Sequence, residues 1–379
     1  MSYAYTNKFL KVFATVFDFC GSILFFWIPK NRKIKDNEVN KILIVKLDQL
    51  GDCFLMTPIF EYLKNKFPKS QIDLVCQENA RPIFDNNPFI SNIITFNYWR
   101  MYRGKNPEKF RDFLRLVQKL RKEKYDLFID PRGEPLVALL GFKIGAKYRL
   151  GFEKEEVGGF LYTHPLRYDR HEHETERYKK IISLLGGSVT TWNPRIYLTD
   201  AELVAGERII GEFGGDYIVI HPGAGVPYKI WPEEYFAEII QKTFREYNGE
   251  VILLGGKEEK RIGDTLVEIV KDKRLKNMIG QLSLRETYFS ISRAKAFLGN
   301  DSVLVHFAGA LDVPTIDLMN VAVSERRWRP LGKHSIVISG SEKNHACSYG
   351  NCPYPCPNMA AITVDDVASQ VLHMLSLER

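Results

Sequence analysis

Apolar residues in this chain come in two rhythms, and the switching between them predicts its elements. Residues 41–47 are mostly aliphatic, as a strand buried on both faces requires. Residues 54–67 carry apolar positions at helical spacing up to Pro68, and 71–76 form a second strand with Ile72, Leu74 and Val75. A strand at 90–96, a helix at 107–124 and a strand at 125–129 follow. This βαβ run implies a parallel sheet. From 151 to 193 the chain is polar, rich in His, Glu and Arg, and carries Gly158-Gly159 and Gly186-Gly187. It is expected to connect two domains, with one helix at 175–185. Alternation then resumes, with strands near 217–220, 250–254, 296–298 and 315–318. The intervening helices are placed at 232–247, 257–270 and 284–293.

The first forty residues follow a different pattern. Between Phe9 and Trp27 the sequence is apolar enough to suggest a membrane span, yet Lys11, Thr15, Asp18 and Ser22 recur at steps of four, three and four. That spacing puts them on one helical stripe, extended by Asn7 and Lys8, with Phe13, Phe17, Phe26 and Trp27 as aromatic bulk. With the basic exit Lys30, Arg32, Lys33 and Lys35, the segment has the make-up of an interfacial anchor. A signal anchor or a helix packed on another subunit remain as alternatives. No small-residue cleavage site suggests a removable signal peptide.

A chain of 379 residues with 45% hydrophobic and 26% charged residues has material for two cores. The expected division is a helix and basic linker at 1–40, Rossmann-like domains at 41–195 and 196–363, and a closing helix at 364–379 that returns to the first domain. The two doubly wound α/β domains are expected to face each other across a cleft. The net charge of +7 suits an acidic small partner or an anionic membrane surface. No nucleic-acid-binding signature accompanies it.

Two strand-to-helix corners carry the candidate chemistry. After 296–298 the chain passes through Gly299-Asn300-Asp301-Ser302 into a helix containing His306, so the amides of Ser302 and Val303 should point into a crevice at the carboxyl end of a sheet. After 217–220, His221-Pro222-Gly223-Ala224-Gly225 leads to Lys229 and to a helix opened by Trp231-Pro232-Glu233-Glu234. Together they suggest a phosphate cradle. The plain alternative is a pair of ordinary turns with Asp301 as N-cap and Pro232 at the first helical position. In the first domain, Asp48-Gln49-Leu50-Gly51-Asp52 follows the leading strand. Asp52 there suits either a general base or an N-cap, with Asp48 a weaker candidate for the base. G-x-G-x-x-G is missing from this turn, which argues against a dehydrogenase.

These residues resemble glycosyltransferase family 9, the heptosyltransferase family of lipopolysaccharide assembly. The block from Lys41 to Asp52, then Met56-Thr57-Pro58 and Lys66-Phe67-Pro68, looks like its opening. Similarity continues through His221-Pro222-Gly223-Ala224 with Lys229 and Trp231-Pro232, Leu253-Leu254-Gly255-Gly256, Gly280-Gln281-Leu282-Ser283-Leu284, and Asn300-Asp301-Ser302 with His306 and Ala308. It covers roughly residues 41 to 375. The resemblance implies a GT-B fold, two Rossmann-like domains with the donor held mainly by the second. It further implies a metal-independent, inverting transfer of heptose from ADP-heptose to a glycolipid hydroxyl, with no cofactor. Carried over position by position, it makes Asp52 the base and brings Lys229 to the donor diphosphate. Asp301 would then hold sugar hydroxyls, and the amides of Ser302 and Val303 phosphate, with Gly223 and His306 beside them. Val303 departs from the family, where glycine is usual, so donor identity is less firmly implied.

Cys20, Cys53 and Cys76 lie in apolar surroundings and read as reduced thiols. Cys347, Cys352 and Cys356, with His345 nearby, sit in a proline-rich stretch. They lack a paired C-x-x-C knuckle, so a structural loop is expected, with zinc or iron as the alternative. The function expected is a glycosyltransferase on the cytoplasmic face of a bacterial inner membrane, acting on a lipid-linked oligosaccharide. The same fold with another nucleotide sugar, or a non-catalytic sugar-nucleotide-binding scaffold, are the alternatives.

Overall fold

A computed structural model describes residues 8–98, 107–153, 157–167, 169, 171–340 and 352–377, with side chains from residue 15 onward. The chain divides after Tyr197 into two units. The first contains α1 (Lys8–Leu24), β1 (Lys41–Lys46), α2 (Leu50–Leu55), α3 (Pro58–Lys66), β2 (Gln71–Cys76), α4 (Arg81–Phe84), β3 (Asn92–Thr95), α5 (Phe110–Lys122), β4 (Leu127–Asp130), α6 (Pro135–Lys143), β5 (Tyr148–Glu153), β6 (His164–Arg167) and α7 (Glu174–Leu184). Its six strands are all parallel, in the order β3-β2-β1-β4-β5-β6.

The helix expected at 54–67 is two helices. Pro58 brings no N–H, so the Phe54 carbonyl is taken instead by the Thr57 amide at 3.0 Å and its hydroxyl at 2.9 Å, which turns the chain. The stretch 151–193 is no linker. It supplies β5, β6 and α7, and His164-Pro165-Leu166-Arg167 escapes the strand pattern because β6 is an edge strand, where proline and polar residues are tolerated. One face of this sheet is covered by α5 and α6, with Leu43, Val45 and Phe128 packed against Phe113, Leu116 and Val137.

The second unit runs through α8 (Asp200–Gly211), β7 (Tyr217–His221), α9 (Glu233–Glu246), β8 (Glu250–Leu253), α10 (Lys260–Val270), β9 (Leu275–Asn277), α11 (Leu284–Ser292), β10 (Phe297–Asn300), α12 (Val303–Ala310), β11 (Thr315–Met319), α13 (Glu325–Trp328), β12 (Ser335–Ser339), α14 (Pro357–Ala360) and α15 (Val364–Leu375). Its strand order, β12-β11-β10-β7-β8-β9, repeats that of the first unit. In each sheet the order reverses between the first and fourth strands. Ligands of open α/β sheets bind at such a switch point, beyond the carboxyl ends of the strands. The turns after β1 and β4, and after β7 and β10, stand at these two places.

The closing helix α15 turns Val364, Val367, Val371 and Met374 into the core of the second unit, beside α9 and β11. Its apolar face is therefore used within its own unit.

Candidate active site

In the first unit, β1 ends in two charged residues that the sheet buries. Lys46 and Asp48 are each about 1% exposed and pair at 2.7 Å. Arg132, on the turn after β4, binds the other oxygen of Asp48 and reaches Glu134 at 2.9 Å. Its loop is shaped by Asp130, which accepts from the amides of Arg132, Gly133 and Glu134 and from the Tyr162 hydroxyl at 2.5 Å. Gly133 adopts φ +89°, and a Cβ there would lie 2.3 Å from the Phe152 carbonyl oxygen, so only glycine fits the turn.

Burial works against ionised Asp48, yet Arg132 and Lys46 overcome it and hold its carboxyl well below the usual carboxylate range. Burial likewise opposes the charge on Lys46, but Asp48 and its neighbours raise its pKa well above the ordinary value. Asp48 is thus a locked counter-ion, which removes it as a base.

Asp52 differs in each respect. It is half-buried at the third position of α2, and no described side chain or amide donates a hydrogen bond to its carboxylate. The N-cap position belongs to Gln49, so the cap expected of Asp52 is not its role. Burial, reinforced by the charges of Asp48 and Glu174 against the pull of Lys46 and Arg132, pushes its pKa up to about 6. The Tyr178 hydroxyl donates to the Asp52 carbonyl at 3.0 Å, fixing this turn against α7. The result is an available carboxylate of near-neutral pKa, as a general base requires.

In the second unit the two sequence-predicted corners come together, because β7 and β10 are adjacent and Gly299 is paired with His221. Asn300 stitches them. Its amide donates to the carbonyls of Pro222 at 2.8 Å and Gly223 at 3.2 Å, while its oxygen accepts from the Trp231 amide at 3.1 Å. Lys229 and Asp301 pair at 2.5 Å. Burial disfavours the Lys229 charge, but Asp301 more than compensates and its pKa is raised. Ser302, not Asp301, is the N-cap of α12. Its hydroxyl accepts from the Leu304 amide at 3.2 Å and lies 3.0 Å from His221 Nδ1. Val303 opens the helix, and His306 is buried within its first turns. Pro232 is the N-cap residue of α9 and Glu233 its first member, one step on from the sequence expectation.

Behind this corner, His221 Nε2 faces Glu259 at 3.3 Å, and Glu259 also accepts from the Gly256 amide at 2.6 Å. Burial would raise the Glu259 pKa, yet His221 and that amide hold it below the ordinary value. A Cβ on Gly223 would lie 2.0 Å from the Glu259 carboxylate, so a larger residue there would displace that side chain. Asp317, in the middle of β11, is fully buried with no hydrogen bond among the described residues. Burial, with Asp301 nearby, drives its pKa well above the carboxylate range.

The arrangement offers one cation and the unused amides of a helix N-terminus to an anion, and one acceptor group beside them. Lys46, Arg132, Glu259 and Asp317 were not singled out by sequence. The only signals were a charge inside an apolar run for Lys46 and Asp317, and the Asp130-Pro131-Arg132-Gly133 turn for Arg132.

Cys347 lies outside the described residues. Cys356 is buried in the second core and receives the Asn320 amide at 3.2 Å, and Cys352 packs beside that core. Among the described residues no three His, Cys, Asp or Glu side chains converge on a metal position.

Comparison with known proteins bears on this geometry. The sequence profile of glycosyltransferase family 9 (heptosyltransferase) matches residues 113–357, more than half of the chain. Lipopolysaccharide heptosyltransferase 3 of Escherichia coli is 26% identical over 310 residues, covering 76% of this chain and 85% of that protein. In fold, the chain is similar to a family 9 glycosyl transferase from Veillonella parvula, at a TM-score of 0.73 and 22% identity over 89% of this chain and 98% of the other. It is also similar to the E. coli ADP-heptose lps heptosyltransferase II, at a TM-score of 0.71 and 22% identity over 88% and 98%.

Proposed function

Because the chain belongs to glycosyltransferase family 9, and has its GT-B fold, we propose that it moves heptose from ADP-heptose to a hydroxyl of a lipid-linked oligosaccharide such as lipopolysaccharide core, with inversion. The donor is argued from the ADP-heptose enzyme it resembles in fold, and the acceptor from the lipopolysaccharide enzyme it resembles in sequence. In this reading Asp52 takes the proton of the acceptor hydroxyl as its oxygen bonds to the anomeric carbon. The bond from that carbon to the diphosphate oxygen breaks, and ADP leaves with its charge met by Lys229 and the amides of Ser302 and Val303. Asp301 accepts hydrogen bonds from the sugar, and Gly223 and His306 shape the corner around it.

The observation that carries the reading is the second-unit corner, where the cation of Lys229 stands beside the N-terminus of α12 at a switch point. Thermal-shift screening of ADP-, UDP- and GDP-sugars tests it, since a donor binding only the folded state raises Tm by mass action. ADP and ADP-heptose should raise Tm most. Val303 at the first position of α12 supports a second reading, the same fold with another nucleotide sugar, and a larger shift with a UDP- or GDP-sugar would favour it. Turnover of the stabilising donor separates an enzyme from a sugar-nucleotide-binding scaffold.

No divalent metal enters this mechanism, because the leaving charge has protein partners. Full activity in excess EDTA is therefore expected. A loss reversed by magnesium or manganese would overturn the assignment, whereas one reversed only by zinc or iron would direct attention to the Cys347 stretch. The reading places the protein on the cytoplasmic face of a bacterial inner membrane, bound peripherally. Among the described residues no helix is long and apolar enough to cross a bilayer.

A further inference from the structure

Helix α1 is docked on the first unit with its polarity reversed. The Asp18 carboxylate turns inward and accepts from the Gly158 amide at 2.8 Å. Gly21 is pressed so closely to the Phe160 ring that a Cβ would lie 2.3 Å from it, and Phe25 stacks on Phe160 at 5.5 Å and meets Phe142 at 5.3 Å. Ile28 is 2% exposed. The inward positions 18, 21, 25 and 28 follow helical spacing. The opposite arc holds Val16, Phe19, Ile23, Phe26 and Trp27, which are 54%, 67%, 57%, 83% and 60% exposed. A water-facing helix would bury these and expose Asp18.

The exit from the helix is fastened. Lys30 donates to the carbonyls of Phe160 at 2.7 Å and Tyr162 at 2.5 Å, the Asn31 amide donates to the Thr163 carbonyl at 2.8 Å, and His164 Nε2 lies 2.7 Å from the Arg32 carbonyl. Lys30 and Lys35, the latter paired with Glu38 at 3.1 Å, are thus engaged within the protein. Arg32 and Lys33 are exposed and follow the aromatic arc within a few residues of sequence, and Lys143 is exposed and adjoins in sequence the Phe142 that supports Phe25.

We propose that the outward arc Val16, Phe19, Ile23, Phe26 and Trp27, together with Arg32, Lys33 and Lys143, is a rigid lipid-contact face that seats the first unit on an anionic monolayer. It deepens the peripheral placement proposed above and rests on it. The occupant is a lipid surface and not a second copy of the chain, because self-association here would bring Arg32 and Lys33 toward their equals, whereas anionic headgroups neutralise them. The fastened exit means that the face moves with the sheet and not on a tether.

Sedimentation of the full chain with vesicles of phosphatidylethanolamine and phosphatidylglycerol, against phosphatidylcholine alone, tests the proposal, with the thermal shift by ADP measured in parallel. The protein should pellet with the anionic vesicles. The pair Phe19→Glu and Phe26→Glu, at positions that cost the fold little, should lower the partition coefficient by more than about tenfold, as should Arg32→Glu with Lys33→Glu. The ADP shift should persist in both variants, showing that they fold. Equal pelleting of the aromatic variant, no pelleting of the unaltered chain, or a dimer dissolved by Phe19→Glu and Phe26→Glu would overturn the lipid face. Absence of an ADP shift in the unaltered chain would count against the donor reading alone, and the vesicle result would still decide this one.

Discussion

Asp52 owes its chemistry to what does not touch it. Its neighbour Asp48 is held by Lys46 and Arg132, and burial, together with the charges of Asp48 and Glu174, outweighs the pull that those two cations still exert on Asp52. A base with a pKa of about 6 is ionised at neutral pH, so kcat/KM should rise as pH increases through about 6 and level off above about 7. Asp52→Asn should reduce turnover by about 10² to 10⁴. The sign of its stability effect follows from linkage. The folded-state pKa lies above the ordinary 3.8, so the folded chain gains stability from protonated Asp52 at low pH and loses that gain as pH rises from about 4 to 6. Asp52→Asn should therefore keep or raise Tm at pH 7.5 and confer no benefit near pH 4. Near-normal turnover, or a falling Tm at pH 7.5, would give Asp52 a structural role. The sequence makes Asp52 visible because the end of a buried strand opening a helix is a position recognisable from local pattern alone. Arg132 and Glu259 are invisible at that level, since each has meaning only through a partner that the sheet order brings from far along the chain.

At the scale of elements, the short helix α12 is organised by one hydroxyl. Ser302 caps it and reaches His221 on β7, and His221 is backed by Glu259 from the turn before α10. Loss of an N-cap costs about 1 kcal/mol, or roughly 2–4 °C in Tm for a unit of this size. Ser302→Ala should show that loss together with weaker ADP binding by calorimetry, while Ser302→Thr, which keeps the hydroxyl, should restore most of both. An unchanged ADP affinity in Ser302→Ala would mean that the helix N-terminus does not meet the diphosphate. The elements around this corner are legible in sequence because β1, β7 and β10 are central strands, buried on both faces, with apolar runs that the polar residues mostly flank. The edge strand β6 is not, because at the margin of its sheet only partial burial is required and its polar residues erase the pattern. α6 is missed for the opposite reason. Its sequence Pro-Leu-Val-Ala-Leu-Leu-Gly-Phe-Lys is apolar nearly all round and has no helical stripe to read.

For the whole molecule, the repeated strand order would assign the two halves of the proposed reaction to separate folding units. Each has its own parallel sheet and its own core, with Asp52 beyond β1 in one and Lys229, Asp301 and Ser302 beyond β7 and β10 in the other. Sequence conveys this duplication through its two alternating runs, but the polar 151–193 stretch imitates a linker while building the far edge of the first sheet. If the donor nucleotide is held by the second unit alone, ADP should slow amide hydrogen exchange around residues 221–229, 255–259 and 300–306 and leave residues 41–76 and 127–153 unchanged. At a hundredfold excess over Kd, the folded state that ADP occupies gains about 2.7 kcal/mol, enough to slow exchange through openings that release the ligand by about a hundredfold. Hydrogen-exchange mass spectrometry with and without ADP makes the comparison, and Lys229→Ala provides its control, since the same segments should then respond only at higher nucleotide concentration. Protection appearing instead around the β1 and β4 turns would move nucleotide recognition to the first unit and leave Lys229 and Asp301 as a structural ion pair.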